Sequence, residues 1–344
     1  MIRAREQSDE GPMPHRPHLM ADPVRVALIG AGRMGRMHLQ AIAESDEVRV
    51  VAIVDPSPEA RAAAAELDPR PRGCGSLDDA LGGAPGDGSA GAHSGASGGS
   101  GSIEAVLIAA PTPLHGSLVG ECAARGLPIL CEKPCGFTTE QIDAAAGAAR
   151  EAGVLLQIGY WRRYVPELAA LREELQQGRL GELLQVTCSQ WDGEPPGLAF
   201  RRSSGGIAVD MGVHELDQIR WLTGRDIEHA GAVAVAGQVD DDVDCATMTY
   251  ELARGGVGVV SLGRYFSHGD CVWVDVMGTR GYTRVDVLWG ERGKTWHPAL
   301  RAQAEDFARC VRSGGTPTGA SAQDARRTLE LAAQAQERIQ AVSR

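Results

Sequence analysis

The chain has 344 residues, 43 % of them hydrophobic and 23 % charged, with 34 basic and 45 acidic side chains for a net charge of −11. That composition supports packed cores in two or three domains and excludes a wholly disordered chain. The acidic balance argues against nucleic acid and membrane as partners, and no apolar run nears the roughly 18 residues of a spanning helix.

Residues 1–22 mix Arg3, Arg5 and Arg16 with Glu6, Asp9 and Glu10 and hold no hydrophobic block. They read as a disordered tail rather than a signal or transit peptide, with Met20 as an alternative start. From Val24 the pattern is regular: strand 24–29, helix 33–45, strand 48–54, an Ala-rich helix 59–67 and a short helix from 77 to 81. Residues 82–102 then carry nine glycines, five serines and four alanines, a composition that buries no core and reads as a flexible surface insertion. The alternation resumes with strand 105–109, helix 118–125, strand 129–131, helix 139–152 and strand 155–158. Such alternation predicts a parallel sheet covered on both faces by helices, a Rossmann domain over 23–158.

After residue 159 the pattern changes. A helix over 166–177, a strand over 183–191 and a helix over 207–222 precede five strand candidates at 232–239, 244–252, 257–265, 271–277 and 282–288. Strands in succession with short Gly-containing turns predict an open, mainly antiparallel sheet. Helices over 302–312 and 323–342 close an α+β domain over 159–344, the last of them free to pack back on the first domain. The eight cysteines, at 74, 122, 131, 135, 188, 245, 271 and 310, show no paired CxxC spacing. A zinc or disulfide framework is not expected, and a reducing cytoplasm is.

Gly30-Ala31-Gly32-Arg33-Met34-Gly35 lies between the first strand and first helix. Gly30 permits the tight turn, Gly32 lets the backbone approach a pyrophosphate, and Gly35 lets the helix pack on the strand. Asp55 ends the second strand where a carboxylate holds the adenosine ribose, and residues 56–59 supply no arginine for a 2′-phosphate, so NAD is expected over NADP. Asp55 as a helix N-cap is the compatible alternative.

Pro111, Thr112 and His115 end the next core strand at the ligand edge of the sheet, or else form a rigid Pro-bounded loop. Glu132-Lys133-Pro134 follows strand 129–131 at the same edge. Lys133 there is placed to reach nicotinamide and substrate, helped by a cis peptide at Pro134, or it is a solvated loop charge. Asp210 and His214, four apart on one helix face, with Asp217 a turn beyond, form a carboxylate–imidazole pair. The carboxylate would raise the imidazole pKa and orient it as a base. A structural pair and a metal site remain the alternatives.

Together, GAGRMGRMH at 30–38, the acid at 55, PTPLH at 111–115, EKP at 132–134 and GGIAVDMGVHELD at 205–217 resemble the glucose-fructose oxidoreductase / inositol dehydrogenase / rhizopine-catabolism family over residues 24–342. The resemblance implies an NAD-dependent dehydrogenase acting on a secondary alcohol of a cyclic polyol or sugar, with an inositol foremost. It implies Lys133, Asp210 and His214 as the catalytic set, with His214 as base, Asp210 orienting it and Lys133 polarising the reacting oxygen. Arg162 and Arg163, in a segment similar to the family's GFxRR, are expected on substrate hydroxyls together with Asp192 and Tyr265. No metal is expected. A homo-oligomer, dimer or tetramer, through the open sheet is implied too. The rival readings are an NAD-retaining sugar oxidoreductase or glycosidase, a non-enzymatic NAD sensor and a zinc hydrolase on Asp210, His214 and Asp217.

Overall fold

The computed structural model describes residues 22–82, 102–236, 242–289 and 293–342. The expected tail but for Asp22, and all but the ends of the Gly/Ser-rich insertion, lie outside the described residues.

The first domain runs β1 Val24–Ile29, α1 Arg33–Ile42, β2 Val48–Val54, α2 Pro58–Leu67, β3 Arg72–Cys74, α3 Leu77–Leu81, β4 Ala105–Ile108, α4 His115–Ala124, β5 Ile129–Cys131, α5 Thr139–Glu151 and β6 Leu156–Ile158. The strands form one parallel sheet in the order β3-β2-β1-β4-β5-β6. Every residue of β4 is buried, as a strand needs to be when helices cover both sheet faces. Strand order reverses between β1 and β4, so a crevice opens beyond their carboxyl ends, where Gly30 and Ala109 lie. The three-residue β3 was not foreseen, since Arg72-Gly73-Cys74 carries no apolar period.

The second unit contains α6 Pro166–Gln176, β7 Leu183–Trp191, α7 Leu198–Ser203, α8 Ile207–Asp210, α9 Gly212–Thr223, β8 Ile227–Ala236, β9 Val243–Leu252, β10 Val257–Gly263, β11 Cys271–Gly278, β12 Tyr282–Trp289, α10 Gly293–Ser313 and α11 Ala322–Val342. Its sheet runs β12-β11-β7-β10-β9-β8. All pairs are antiparallel except β7 with β10, which are parallel because the chain crosses through α7–α9 and the β8–β9 hairpin between them. Val186, Cys188, Val260, Leu262 and Val274 of the inner face are buried beneath the helices. The other face exposes Val233, Val235, Val257, Met277 and Tyr282.

Helix α10 returns to the first domain. Its Ala304, Phe307 and Ala308 share an apolar cluster with Leu28, Leu39 and Ile42, and Ser45 Oγ donates to Glu305 at 2.8 Å. Helix α11 packs against α5, α8 and α9. The two parts are thus clamped around the carboxyl edge of the parallel sheet.

Candidate active site

At the nucleotide end, each glycine of the turn does different work. Gly30 adopts φ +98°, and a Cβ there would meet the Ala109 carbonyl oxygen at 2.6 Å. A Cβ on Gly35 would stand 1.9 Å from the Gly30 carbonyl oxygen. Both glycines are therefore required by the protein itself. Gly32 is not: it is exposed, and a Cβ there would meet nothing within 4 Å. Gly32 caps α1 with no side-chain hydrogen bond, so the first helical N–H groups, at Arg33, Met34 and Gly35, face the crevice with positive dipole density. The open cradle and the unshared donors fit a pyrophosphate. Arg33 beside them is exposed.

Asp55 follows β2 with Oδ2 accepting from Ala31 N at 2.8 Å and Oδ1 from Ser57 N at 2.9 Å. Its carboxylate thus lies along the glycine turn, whereas the helix N-cap expected as its alternative role falls to Ser57, whose Oγ accepts from Ala60 N at 3.0 Å. The sequence reading missed that α2 folds Arg61 back onto the Asp55 carbonyl oxygen. A guanidinium is therefore present near the carboxylate although residues 56–59 contain none.

Pro111 is exposed and Thr112 half-buried at a 3-10 turn over Thr112–Leu114 on the crevice edge. His115 corrects the expectation of a cofactor contact. It is 1 % exposed, with Nδ1 2.8 Å from the Pro134 carbonyl oxygen and Nε2 2.8 Å from that of Ala110. Both ring nitrogens are thus engaged on backbone, and the side chain is a strut between two crevice loops. Glu132 is likewise turned inward. Its Oε1 stands 2.6 Å from His38 Nε2, and its Oε2 accepts from Lys133 N at 3.1 Å. The imidazole and the nearby lysine hold its carboxyl below the usual range against the upward push of burial.

The Lys133–Pro134 peptide is cis, and Lys133 Nζ donates to the backbone carbonyl oxygen of Asp210 at 3.0 Å. Burial pulls the Lys133 amine below its ordinary range, while Asp210 and Glu132 oppose that fall. The expected continuous helix over 207–222 is broken at Met211. There His214 N donates to Met211 O at 3.1 Å, three residues back, rather than to Asp210 O four back.

That break undoes the carboxylate–imidazole pair. Asp210 Oδ2 accepts from Arg264 Nη1 at 2.6 Å, and His214 Nδ1 has no hydrogen-bond partner among the described residues. His214 is 7 % exposed, packed edge-on to Tyr160 at 5.8 Å and to Trp161 at 6.3 Å between ring centroids. Its pKa lies well below the ordinary value, because burial, Lys133 and Arg162 all disfavour the cation. The expected upward shift is therefore reversed.

Arg162 and Arg163 are not substrate clamps. Arg162 Nη1 donates to Glu215 and, at 2.8 Å, to Gln218, and its Nη2 donates to Gln190 at 2.6 Å. Arg163 grips Asp217 at 2.9 and 2.6 Å. Two carboxylates of α9 are buried, at 0 % and 1 % exposure, and buried carboxylates require paired cations. Asp217 is thereby withdrawn from any shared site with Asp210 and His214. Asp192 does lie at the site: its Oδ2 is 3.9 Å from Arg264 Nη1, and burial with Asp270 and Asp210 pushes its carboxyl up to about 6. Tyr265 is 42 % exposed, one residue past Arg264. Arg264, at 0 % exposure, was missed, since a charged residue closing an apolar strand reads from sequence as a solvated end.

A doubly covered parallel sheet with a glycine turn at its switch point and a lysine past β5 at its carboxyl edge, joined to an α+β domain that brings an imidazole to the same edge, defines a dinucleotide-dependent oxidoreductase. Residues 24–160 match the oxidoreductase family with an NAD-binding Rossmann fold, and residues 168–284 match the GFO/IDH/MocA C-terminal domain. The chain belongs to this GFO/IDH/MocA oxidoreductase family and binds NAD. It is 43 % identical over 318 residues to the rhizopine catabolism protein MocA of Rhizobium meliloti, covering 91 % of this chain and 94 % of that one. It is 30 % identical over 264 residues to inositol 2-dehydrogenase of Rhizobium meliloti strain 1021, covering 75 % and 74 %. The scyllo-inositol dehydrogenase of Lactobacillus casei, solved with NAD(H) and scyllo-inositol, shares the fold with a TM-score of 0.77 at 20 % identity, covering 92 % of this chain and 97 % of that one. No described helix is long and apolar enough to cross a membrane.

Proposed function

We propose that the chain oxidises a secondary hydroxyl of a cyclic polyol, an inositol or a close derivative, with Lys133, Asp210 and His214 as the acting side chains. One observation carries this reading: an ammonium and an imidazole held neutral meet around Asp210 at the edge where the glycine turn receives the nucleotide. NAD, when bound, accepts the hydride. His214, uncharged across the working pH range, takes the hydroxyl proton. Lys133 stabilises the negative charge developing on that oxygen. Asp210 and Asp192 present carboxylate oxygens to neighbouring hydroxyls. The buried Tyr160 and Trp161 rings pack edge-on to His214 and fix the plane of its imidazole.

The relatives named for rhizopine and inositol support a polyol over an open-chain alcohol. The apolar outer face of the second sheet, with Val233, Val235, Val257, Met277 and Tyr282, supports a homo-oligomer formed there. All eight cysteines are free thiols, in keeping with action in a reducing cytoplasm.

The test is NAD reduction at alkaline pH across inositol isomers, aldoses and amino-polyols. Turnover on one or more cyclic polyols is expected. A protein that reduces NAD with none of them, or with aldoses alone, would overturn the polyol assignment.

A further inference from the structure

Arg264 sits one residue past β10, fully buried, with its own N–H on the Asp244 carbonyl at 2.8 Å. Its guanidinium lies among three carboxylates: Asp210 at 2.6 Å, Asp242 at 3.6 Å and Asp192 at 3.9 Å. Asp242 is itself held by the buried Arg201 at 2.6 Å, and Arg201 reaches Asp244 at 2.7 Å. Arg264 Nε and Nη2 have no hydrogen-bond partner among the described residues, so its one directional hold is Nη1 on Asp210 Oδ2.

Asp210 is therefore held from two sides, its carbonyl oxygen by Lys133 and its carboxylate by Arg264. A carboxylate so close to a lysine amine would otherwise turn onto it, since a charge-assisted pair is the stronger bond. Such a pair would hold the amine protonated and occupied.

We infer that Arg264 is a positioning residue for the proposed polyol reaction: it draws the Asp210 carboxylate away from Lys133, which keeps the lysine amine free for the reacting oxygen and leaves Asp210 Oδ1 for a neighbouring hydroxyl. The charged groups facing Lys133 are Asp210, Glu132, Arg162 and Glu215, and of these Asp210 is the one whose direction Arg264 sets.

The chain holds only two lysines, Lys133 and Lys294, so amine reactivity is readable residue by residue. The protein without NAD is labelled with acetic anhydride near pH 9, and labelling of Lys133 is measured by mass spectrometry against Lys294. In Arg264→Met, Lys133 labelling slows by about five-fold or more as the carboxylate turns onto the amine. Arg264→Lys, which keeps a buried cation, stays within about three-fold of the parent rate. In an Asp210→Asn background, Arg264→Met leaves Lys133 labelling unchanged, because the carboxylate for which the two cations compete is gone. Turnover follows the labelling: about thirty-fold lower in Arg264→Met, with NAD affinity within two-fold.

Unchanged labelling in Arg264→Met, or equal slowing in the Asp210→Asn background, overturns the inference. If Arg264→Met does not fold, Arg264→Lys decides the matter, and a labelling rate as low as that of a Lys133–carboxylate pair overturns it. Failure of every polyol with the parent enzyme would remove the substrate assignment while the labelling result still settles the role of Arg264.

Discussion

Lys133 Nζ occupies the hydrogen-bonding site on the Asp210 carbonyl oxygen that a continuous helix would have given to the His214 amide. The break at Met211 is thus a structural consequence with a chemical use. It frees an acceptor four residues before His214, and the amine from β5 takes it. Replacing that amine should be severe. Lys133→Met is expected to lower kcat by about 10²–10⁴-fold, the usual range for a positioned acid–base or electrostatic group, with NAD affinity within a few-fold.

Lys133→Arg should not restore it. Thirty-two of the 34 basic residues are arginine, so a cation that merely needed to be positive would more often be arginine here. An amine whose pKa burial lowers offers what a guanidinium does not, a compact donor whose proton can move. Steady-state kinetics of the two variants on one polyol checks this. Arginine activity near the parent level would mean that charge alone suffices at position 133.

The glycine turn separates fold from ligand cleanly. Gly35→Ala places a carbon 1.9 Å from the Gly30 carbonyl oxygen and must push α1 off β1, so a large loss of thermal stability is expected. Gly32→Ala meets nothing in the protein. Its melting temperature should match the parent, while NAD binding by calorimetry weakens about ten-fold or more as the methyl group enters the pyrophosphate cradle. Equal NAD affinity in Gly32→Ala would place the phosphates elsewhere.

Coenzyme choice should turn on Asp55 and Arg61 together. The carboxylate repels a 2′-phosphate, at a cost of up to about 4 kcal/mol at 4 Å and an effective dielectric of 20. Asp55→Asn keeps an oxygen for the Ala31 or Ser57 amide and leaves the Arg61 guanidinium close by. NADP turnover is expected to rise by about ten-fold or more relative to NAD, and adding Arg61→Ala should cancel much of that gain. The ratio of kcat/KM for the two coenzymes reads both effects.

Most strand ends and the glycine turn were legible because they depend on local rules: apolar period, turn glycines and a positive φ at Gly30. The cluster of Lys133, Asp210 and His214 was legible as a set of residues but not as a set of bonds. The apolar period of GGIAVDMGVHELD reads as one helix, and the amine that takes the Asp210 carbonyl at the Met211 break comes from 77 residues earlier, beyond the reach of any local pattern. Arg162 and Arg163, expected on substrate hydroxyls, instead pair with Glu215 and Asp217 more than 50 residues away, and no local pattern shows that those carboxylates are buried and need cations. Arg264 left no local trace at all.

Asp192 sets a conflict between stability and function that pH can expose. Its carboxyl rises from 3.8 to about 6 because it is buried beside Asp270 and Asp210, with Arg264 only partly offsetting them. The folded pKa lies above the unfolded one, so the ionised form costs the native protein about 3 kcal/mol above pH 6. That penalty fades as pH falls from 6 toward 3.8, where the native carboxyl is protonated first. Asp192→Asn should therefore melt higher than the parent at pH 8 and show little difference at pH 4, when unfolding is followed by circular dichroism. Its activity should move the other way. The kcat/KM of the parent falls below about pH 6 as Asp192 loses its charge; His214 titrates lower still. In Asp192→Asn that acidic limb should disappear while KM for the polyol rises. A limb near pH 6 that survives the substitution would assign the titration to another group and remove Asp192 from the substrate contacts.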